Sequence, residues 1–142
     1  MTLTDANILL YAFDPSSAQH AKCRRWLEKA CQGSELVLLC WPVILAFLRI
    51  STNPLVFETP LSMEEAAAVV TNLLEQPAVR VIQPGEDHWR ILAGLLRTSQ
   101  ARGSLVMDAH LAALAMEHGA TVCTTDRDFS RFEKLKVFSP VG

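Results

Sequence analysis

Four aspartates occupy positions at which carboxylates could hold a cation. Asp5 follows the first short apolar segment, Asp126 and Asp128 follow the last clear one, and Asp108 lies in the first turn of a late helical segment. Two carboxylates about 4 Å apart repel by roughly 4 kcal/mol at an effective dielectric near 20, so a converging group needs a cation or must be partly protonated. Oxygen ligands with room for water favour Mg2+, with Mn2+ also possible, over zinc. A cation held in this way predicts phosphodiester hydrolysis without a catalytic histidine or serine.

Each aspartate also has a purely structural interpretation. Asp5 could act as the N-cap of the segment that begins at Ala6. Asp108 could be an ordinary first-turn aspartate stabilised by the helix dipole. Asp126 and Asp128 flank Arg127 and could form a solvated turn with a local ion pair. Only the four positions taken together favour a functional site.

The sequence offers little support for other catalytic schemes. It contains no G-x-S-x-G, no P-loop and no G-x-G-x-x-G. His110 follows Asp108 by two positions on one helix, about 200° around the axis, so the two side chains face apart. A phosphatase of the haloacid dehalogenase type would carry its Asp-x-Asp pair after the first strand, whereas Asp126 and Asp128 come near the end of this chain.

Strand and helix patterns alternate along the chain. This pattern predicts an α/β fold with a mainly parallel central sheet of about four to five strands and helices on both faces. We expect one domain over residues 1–142. Strands are predicted up to residue 5 and at 36–40, 79–82, 121–124 and 136–138, and helices at 8–13, 18–31, 42–50, 62–75, 86–100 and 106–118. In the fifth helix the residues expected to face inward are Trp89, Leu92, Leu95 and Leu96.

The parallel sheet gives the aspartates a common location. Ligands of open parallel sheets gather at the carboxyl ends of the strands. Asp5 and Asp126 both follow predicted strands, and Asp108 begins a helix that can point toward the same edge. We therefore expect the four carboxylates to be neighbours in space.

The overall charge is −2, with 13 basic and 15 acidic residues. A protein that binds nucleic acid through charge alone would be far more basic. Any RNA-binding surface must therefore be local. Arg90 and Arg97, seven apart on one helix face, are predicted to be simply solvated. The candidate basic rim consists of Arg49, Arg102, Arg127, Arg131, Lys134 and Lys136, although an ordinary solvated surface explains each of them equally well.

The sequence shows no membrane-spanning apolar segment and no signal-peptide pattern. Its four cysteines form no C-x-x-C pair, and we expect reduced thiols that behave as small core residues, although disulfides remain possible. These features predict a cytoplasmic location with no membrane contact.

Three motifs together resemble a known family. They are Asp-x-Asn at Asp5-Ala6-Asn7, Asp-Ala at the start of the late helix (Asp108-Ala109), and Thr-x-Asp-x-Asp-Phe ending at Phe129. In this order and spacing they look like a PIN domain. The stretch from Leu45 to Pro54 resembles a VapC-like branch of that family, and the resemblance runs from about Leu3 to Phe138.

The resemblance implies a Mg2+-dependent endoribonuclease toxin of a type II toxin–antitoxin system. On matching positions, Asp5, Asp108 and Asp126 would be metal-site carboxylates, with Asp128 as a further ligand or water-holder. Asn7 and Thr125 would orient the site by hydrogen bonds. The family also implies a homodimer and a small antitoxin that blocks the pocket. From their positions beside this site, Arg49, Arg127 and Arg131 are candidates for RNA binding.

One position departs from the family pattern. Many PIN nucleases carry a glutamate in the helix after the second strand, where this chain has Ala46, and no acidic residue lies between Glu35 and Glu58. Glu117 is a poor substitute because it lies on the opposite helix face from Asp108. The site could thus hold one metal ion with more waters. The alternative is a catalytically weakened PIN domain that binds RNA or protein.

Overall fold

The fold is organised around a five-stranded sheet in which every strand pair is parallel. The computed structural model describes residues 1–142. The strand order is β3-β2-β1-β4-β5, so β1 occupies the centre. The predictions of an α/β fold and of a mainly parallel sheet with four to five strands are confirmed. The strands are β1 (Thr2–Thr4), β2 (Val37–Leu39), β3 (Val79–Val81), β4 (Thr121–Cys123) and β5 (Val137–Phe138).

Six α-helices cover the two faces of the sheet. From β1 the chain steps outward through β2 to β3, then crosses to the other side of β1 to form β4. Because crossovers between parallel strands are right-handed, this reversal places the later helices on the opposite face from the earlier ones. The helices are α1 (Ala6–Ala12), α2 (His20–Cys31), α3 (Trp41–Ser51), α4 (Met63–Glu75), α5 (His88–Ser99) and α6 (Leu105–His118).

Local sequence signals account for several helix ends. Ser62 and Glu65 form a capping box at the start of α4, with hydrogen bonds of 3.0 Å in both directions. Pro42 lies in the first turn of α3, where its missing N–H costs nothing. Gly119 ends α6 with a φ of 67°, a left-handed conformation that glycine adopts without strain. A 3-10 helix at Arg127–Arg131 was not predicted.

Buried residues of the core are most numerous in α6 and in the central strands. In α6 the residues Ala109 and Leu111 to Ala115 are buried, which explains why this helix has no polar stripe. In α5 only Leu95 is buried, whereas Trp89 is 70% exposed. The prediction that Trp89 faces inward is wrong. His88 in the same turn packs on α6, with its Nε2 3.0 Å from His110 Nδ1, and Trp89, about 100° further around the helix axis, lies at the edge of the buried stripe.

The four cysteines are free thiols, as predicted. Cys23, Cys40 and Cys123 are buried, and Cys31 is half-buried. Burial raises the pKa of Cys40 to about 11 and raises that of Cys123 above its ordinary value. They therefore behave as small apolar core residues. No helix combines the length and the apolar character needed to span a membrane.

Candidate metal-binding active site

The site lies at the carboxyl edge of the sheet, where the direction of strand addition reverses. β1 pairs with β4, with Thr4 opposite Cys123, and β2 lies on the other side of β1. Such a reversal opens a crevice beyond the strand ends, and this is the usual ligand position in open α/β sheets. Asp5 follows β1 directly, and Asp126 lies three residues after the end of β4.

Three carboxylates converge closely at this edge. Asp108, Asp126 and Asp128 each place a carboxylate oxygen within 4.8 Å of the other two. Asp108 comes from the first turn of α6. Asp126 caps the 3-10 helix by accepting a hydrogen bond of 2.9 Å from the backbone N–H of Asp128. The group is thus assembled from two separate elements, and Asp108 and Asp126 are 18 positions apart in the sequence.

Asp5 stands beside this group rather than within it. Its carboxylate accepts hydrogen bonds from the backbone N–H of Ala6 at 2.7 Å, the Thr124 hydroxyl at 2.8 Å and the Asn7 side-chain amide at 3.3 Å. The contact with Ala6 makes Asp5 the N-cap of α1, so the structural interpretation of this residue is also correct. Burial raises the pKa of Asp5, and the charge of Asp126 acts in the same direction, so the two carboxylates are close enough to interact.

Thr124 connects Asp5 with Asp126. It is 1% exposed, and its hydroxyl donates to Asp5 while accepting from the Asn7 amide at 3.1 Å and from the backbone N–H of Asp126 at 3.0 Å. The sequence analysis assigned an orienting role to Thr125, which contributes its backbone N–H to the Asn7 carbonyl at 3.3 Å. The signal for Thr124 was its position two residues before Asp126, where a hydroxyl can bond the backbone of the following turn.

Burial and neighbouring carboxylates raise the pKa of Asp108 and of Asp5. The pKa of Asp108 is raised from 3.8 to about 6, first by burial and then by the charges of Asp126, Asp5 and Asp128, while Arg131 acts in the opposite direction. Burial also raises the pKa of Asp5, against the lowering effect of its hydrogen bonds. A helix dipole acting alone would lower the pKa of Asp108. The upward shift means that burial and the neighbouring acids dominate.

The predicted arginines lie at different distances from the carboxylates. A cavity of about 450 Å3 is lined by Asp5, Asp108 and Arg49 together with apolar side chains of α3 and α6. Arg131 lies near enough to Asp108 to affect its pKa. Arg127 is exposed on the 3-10 helix and makes no ion pair with the carboxylates. Arg49 and Arg131 therefore border the site more closely than Arg127.

Comparison with known proteins places the chain in a family. A model of the PIN domain matches residues 2–135. The chain belongs to the PIN-domain family. Its relatives include Ribonuclease VapC37 of Mycobacterium tuberculosis, 40% identical over 140 residues that cover 99% of this chain and 97% of the relative. Ribonuclease VapC48 of the same organism is 35% identical over 96% of this chain and 94% of its own length. The chain is therefore a PIN domain of the VapC group.

Solved structures show the same PIN fold at low sequence identity. VapBC2 from Rickettsia felis, bound to a DNA fragment from its promoter, matches with a TM-score of 0.72 at 15% identity over 97% of both chains. VapC20 of Mycobacterium tuberculosis, described as a toxin that cleaves the sarcin–ricin loop, matches with a TM-score of 0.68 at 18% identity. That match covers 96% of this chain and 99% of the other.

Ala46 stands at the position where the resemblance led us to expect a glutamate. It lines the same cavity as Asp5 and Asp108, so this position is an apolar part of the wall. Glu117 does not compensate, because it accepts a hydrogen bond of 2.9 Å from the backbone N–H of Gly85. His110 is turned toward α5, where its Nδ1 lies 3.0 Å from His88 Nε2.

Proposed function

We propose that the protein is a Mg2+-dependent endoribonuclease toxin of the VapC type, with Mn2+ as a possible substitute. The observation that carries this proposal is the meeting of Asp108, Asp126 and Asp128 within 4.8 Å at the strand-order reversal. Ribonucleases of the VapC group share 35–40% of their residues with this chain over nearly its full length. Residues 1–142 would act as one catalytic domain.

The residues present suit a hard divalent cation. All of the nearby ligand atoms are carboxylate oxygens, the donor set that Mg2+ and Mn2+ prefer. When no cation is bound, burial and then the neighbouring carboxylates raise the pKa of Asp108 to about 6. Asp108, Asp126 and Asp128 would hold the ion, with Asp5 as a further ligand, directly or through water. When bound, the cation supplies positive charge to phosphate oxygens and lowers the pKa of water.

The surrounding side chains have separate tasks in hydrolysis. Thr124 and Asn7 fix the Asp5 carboxylate, so little reorientation is required when RNA binds. Arg49 lines the cavity, and Arg131 borders Asp108, so both can contact phosphates on either side of the cleaved bond. Arg127 would contact the RNA at a greater distance from the cleaved bond. In-line attack of water on phosphorus leaves a 5′-phosphate and a 3′-hydroxyl.

Ala46 favours a second candidate function, which is binding without cleavage. A wall that lacks one carboxylate offers fewer ligands to a cation, and the domain could then bind RNA or a protein without cutting. One cleavage assay distinguishes the two functions. Purified protein is incubated with single-stranded RNA in Mg2+, Mn2+ or EDTA, and the RNA ends are analysed.

We expect cleavage in Mg2+ or Mn2+ that EDTA abolishes. The Asp108→Asn protein, purified in parallel, should be inactive because the cation loses a carboxylate. The Glu58→Gln protein is the matched control, since Glu58 is an exposed acid outside the site. Equal cleavage by the wild type and Asp108→Asn would show a contaminating nuclease. RNA binding without cleavage in either metal would favour the binding module.

An antitoxin and a second copy of the chain are the proposed protein partners. Several solved structures of similar fold are toxin–antitoxin complexes, among them VapBC-1 from nontypeable Haemophilus influenzae. Expression of the toxin alone should arrest growth, and co-expression with the product of a short upstream gene should restore it. Light scattering should give twice the monomer mass of 15.7 kDa if the protein is a homodimer. A single monomeric species would reject the dimer and leave the ribonuclease proposal unaffected.

A further inference from the structure

A second concave surface lies along α5, away from the carboxylates. It is a cavity of about 630 Å3 between α5 and the segment that follows the 3-10 helix. Its lining includes Trp89, Arg90, Arg97, Lys134, Glu133 and Met116. We refer to this surface as the α5 groove. Neither the sequence motifs nor the proposed active site uses it.

Trp89 is the most unusual residue of the groove. It is 70% exposed, whereas aromatic side chains of this size are mostly buried in a stable fold. Its ring stacks on no other aromatic ring in the protein. Its indole face is therefore free to stack on a planar group of a ligand.

The charges around Trp89 favour an anionic ligand. Arg90, Arg97 and Lys134 contribute three positive charges to the groove, against one negative charge from Glu133. Arg97 and Lys134 form no ion pair, and Arg90 has only a long pair of 3.6 Å with Asp87, in which both side chains are mostly exposed. Such a pair contributes little and can be exchanged for a phosphate contact. This part of a chain with net charge −2 is thus locally positive.

Two short stretches of chain connect the groove with the carboxylates. α5 and α6 are joined by the short connection 100–104, so the end of α5 lies close to the start of α6, where Asp108 is located. Arg131, which influences Asp108, is three residues before Lys134 of the groove. Trp89 lies at the other end of α5, beside His88, which contacts His110 on α6.

We propose that the α5 groove binds single-stranded RNA on one side of the cleaved bond. Trp89 stacks on a base that lies away from that bond, and Arg90, Arg97 and Lys134 contact phosphates between this base and the bond. This inference rests on the proposed ribonuclease function. An aromatic platform combined with a basic track holds single strands with little sequence preference, because every base has a face that can stack. The cleavage sequence would then be selected at the carboxylates rather than in the groove.

The test measures binding with cleavage switched off. A fluorescein-labelled 12-nucleotide oligouridylate is titrated with Asp108→Asn protein, and fluorescence anisotropy gives the Kd. Adding Trp89→Ala to this protein should raise the Kd about 5- to 150-fold, the range expected for loss of one stacked base. Trp89→Phe should recover most of the affinity because the phenyl ring can still stack.

The arginines are tested through the salt dependence of binding. Each lost phosphate contact should reduce the slope of log K against log salt by about 0.7 for a single strand, so the Arg90→Gln, Arg97→Gln double variant should lose about 1.4. Arg25→Gln is the matched control, because Arg25 is an exposed helical arginine outside the groove. It should change neither the Kd nor the slope. Equal urea midpoints exclude misfolding of any variant.

The outcomes separate this proposal from the proposed function. If the wild type cleaves RNA but Trp89→Ala binds the oligouridylate as tightly as its parent, the groove proposal is wrong and the ribonuclease proposal stands. If no metal supports cleavage but Trp89→Ala weakens binding, the ribonuclease proposal is wrong and RNA binding in the α5 groove stands. If Trp89→Ala changes the mass in light scattering and leaves the Kd unchanged, the face contacts protein, and the RNA proposal is also wrong.

Discussion

Replacing Asp108 with asparagine should abolish activity and at the same time stabilise the metal-free protein. Asp108 carries a charge that burial and the nearby Asp126, Asp5 and Asp128 disfavour, which raises its pKa to about 6. Asparagine is close in shape and carries no charge. The substitution therefore removes the electrostatic cost of the site without opening a cavity.

The size of the gain follows from the pKa. Between 3.8 and about 6, at about 1.4 kcal/mol per pKa unit, the full difference is about 3 kcal/mol. Asp108 is only partly buried, so solvent screens part of this amount. Asparagine also loses a favourable interaction with the start of α6, worth about 0.3–1 kcal/mol. We expect a net gain of about 1–2 kcal/mol in the free energy of unfolding at pH 7.5.

The pH dependence has a definite sign. Above pH 6 the folded wild type holds Asp108 ionised at a cost, whereas the unfolded chain ionises it freely. Below pH 3.8 the residue is neutral in both states. The advantage of Asp108→Asn should thus be complete above pH 6 and disappear as the pH falls from 6 toward 4.

Urea unfolding in EDTA, followed by circular dichroism between pH 4.5 and 8, measures this difference, with Glu58→Gln as the control for a generic loss of charge. Added Mg2+ should reverse the order of stability. At a hundred times its Kd the ion stabilises the wild type by about 2.7 kcal/mol, which exceeds the advantage of the variant, and the variant should gain less. A variant that is less stable than the wild type at pH 7.5 in EDTA would refute the reasoning, because the carboxylates could not then be repelling one another.

Three further substitutions test neighbouring parts of the site. Thr124→Val should cost about 1–3 kcal/mol of stability, because it leaves the Asn7 amide and the Asp126 N–H without their acceptor. It should also slow RNA cleavage at saturating substrate, whereas Thr124→Ser should retain both the stability and the cleavage rate. Unchanged cleavage by the Thr124→Val protein would count against the positioning role of Thr124. Ala46→Glu should tighten Mn2+ binding in calorimetry and raise the cleavage rate, and a weaker affinity would mean that Ala46 does not face the ion. Phe129→Ala, at a side chain that is 0% exposed, should cost about 3–5 kcal/mol in urea unfolding, and a loss below 1 kcal/mol would mean that the 3-10 helix is not anchored there.

The fold was largely predictable because its signals are local. The capping box at Ser62 and Glu65 and the glycine at 119 act through nearest neighbours, and the structure shows both. The apolar runs that became β2 and β4 are short and bounded by turn residues. Their alternation with helices was sufficient to predict a parallel sheet, and hence an edge at which Asp5 and Asp126 could meet.

The details of the site were less predictable because they depend on tertiary geometry. Whether Thr124 or Thr125 supplies the hydroxyl depends on which side chain turns inward at the end of β4, and the neighbours in sequence are too similar to decide it. The exposure of Trp89 has the same origin. Its spacing from Leu92 and Leu96 matches an inward stripe, but His88 takes the inward position in that turn, and periodicity alone does not tell which residue at the edge of a stripe is covered.

Crystals grown in Mn2+ and measured for anomalous scattering would test the central claim most directly. The claim is that aspartates from distant parts of the chain hold one hard divalent ion at the carboxyl edge of the sheet. We predict an anomalous peak bonded to oxygens of Asp108 and Asp126, with Asp5 or Asp128 completing the shell directly or through water. At saturating Mn2+, the absence of a peak among these carboxylates, or a peak only elsewhere on the protein, would contradict the account.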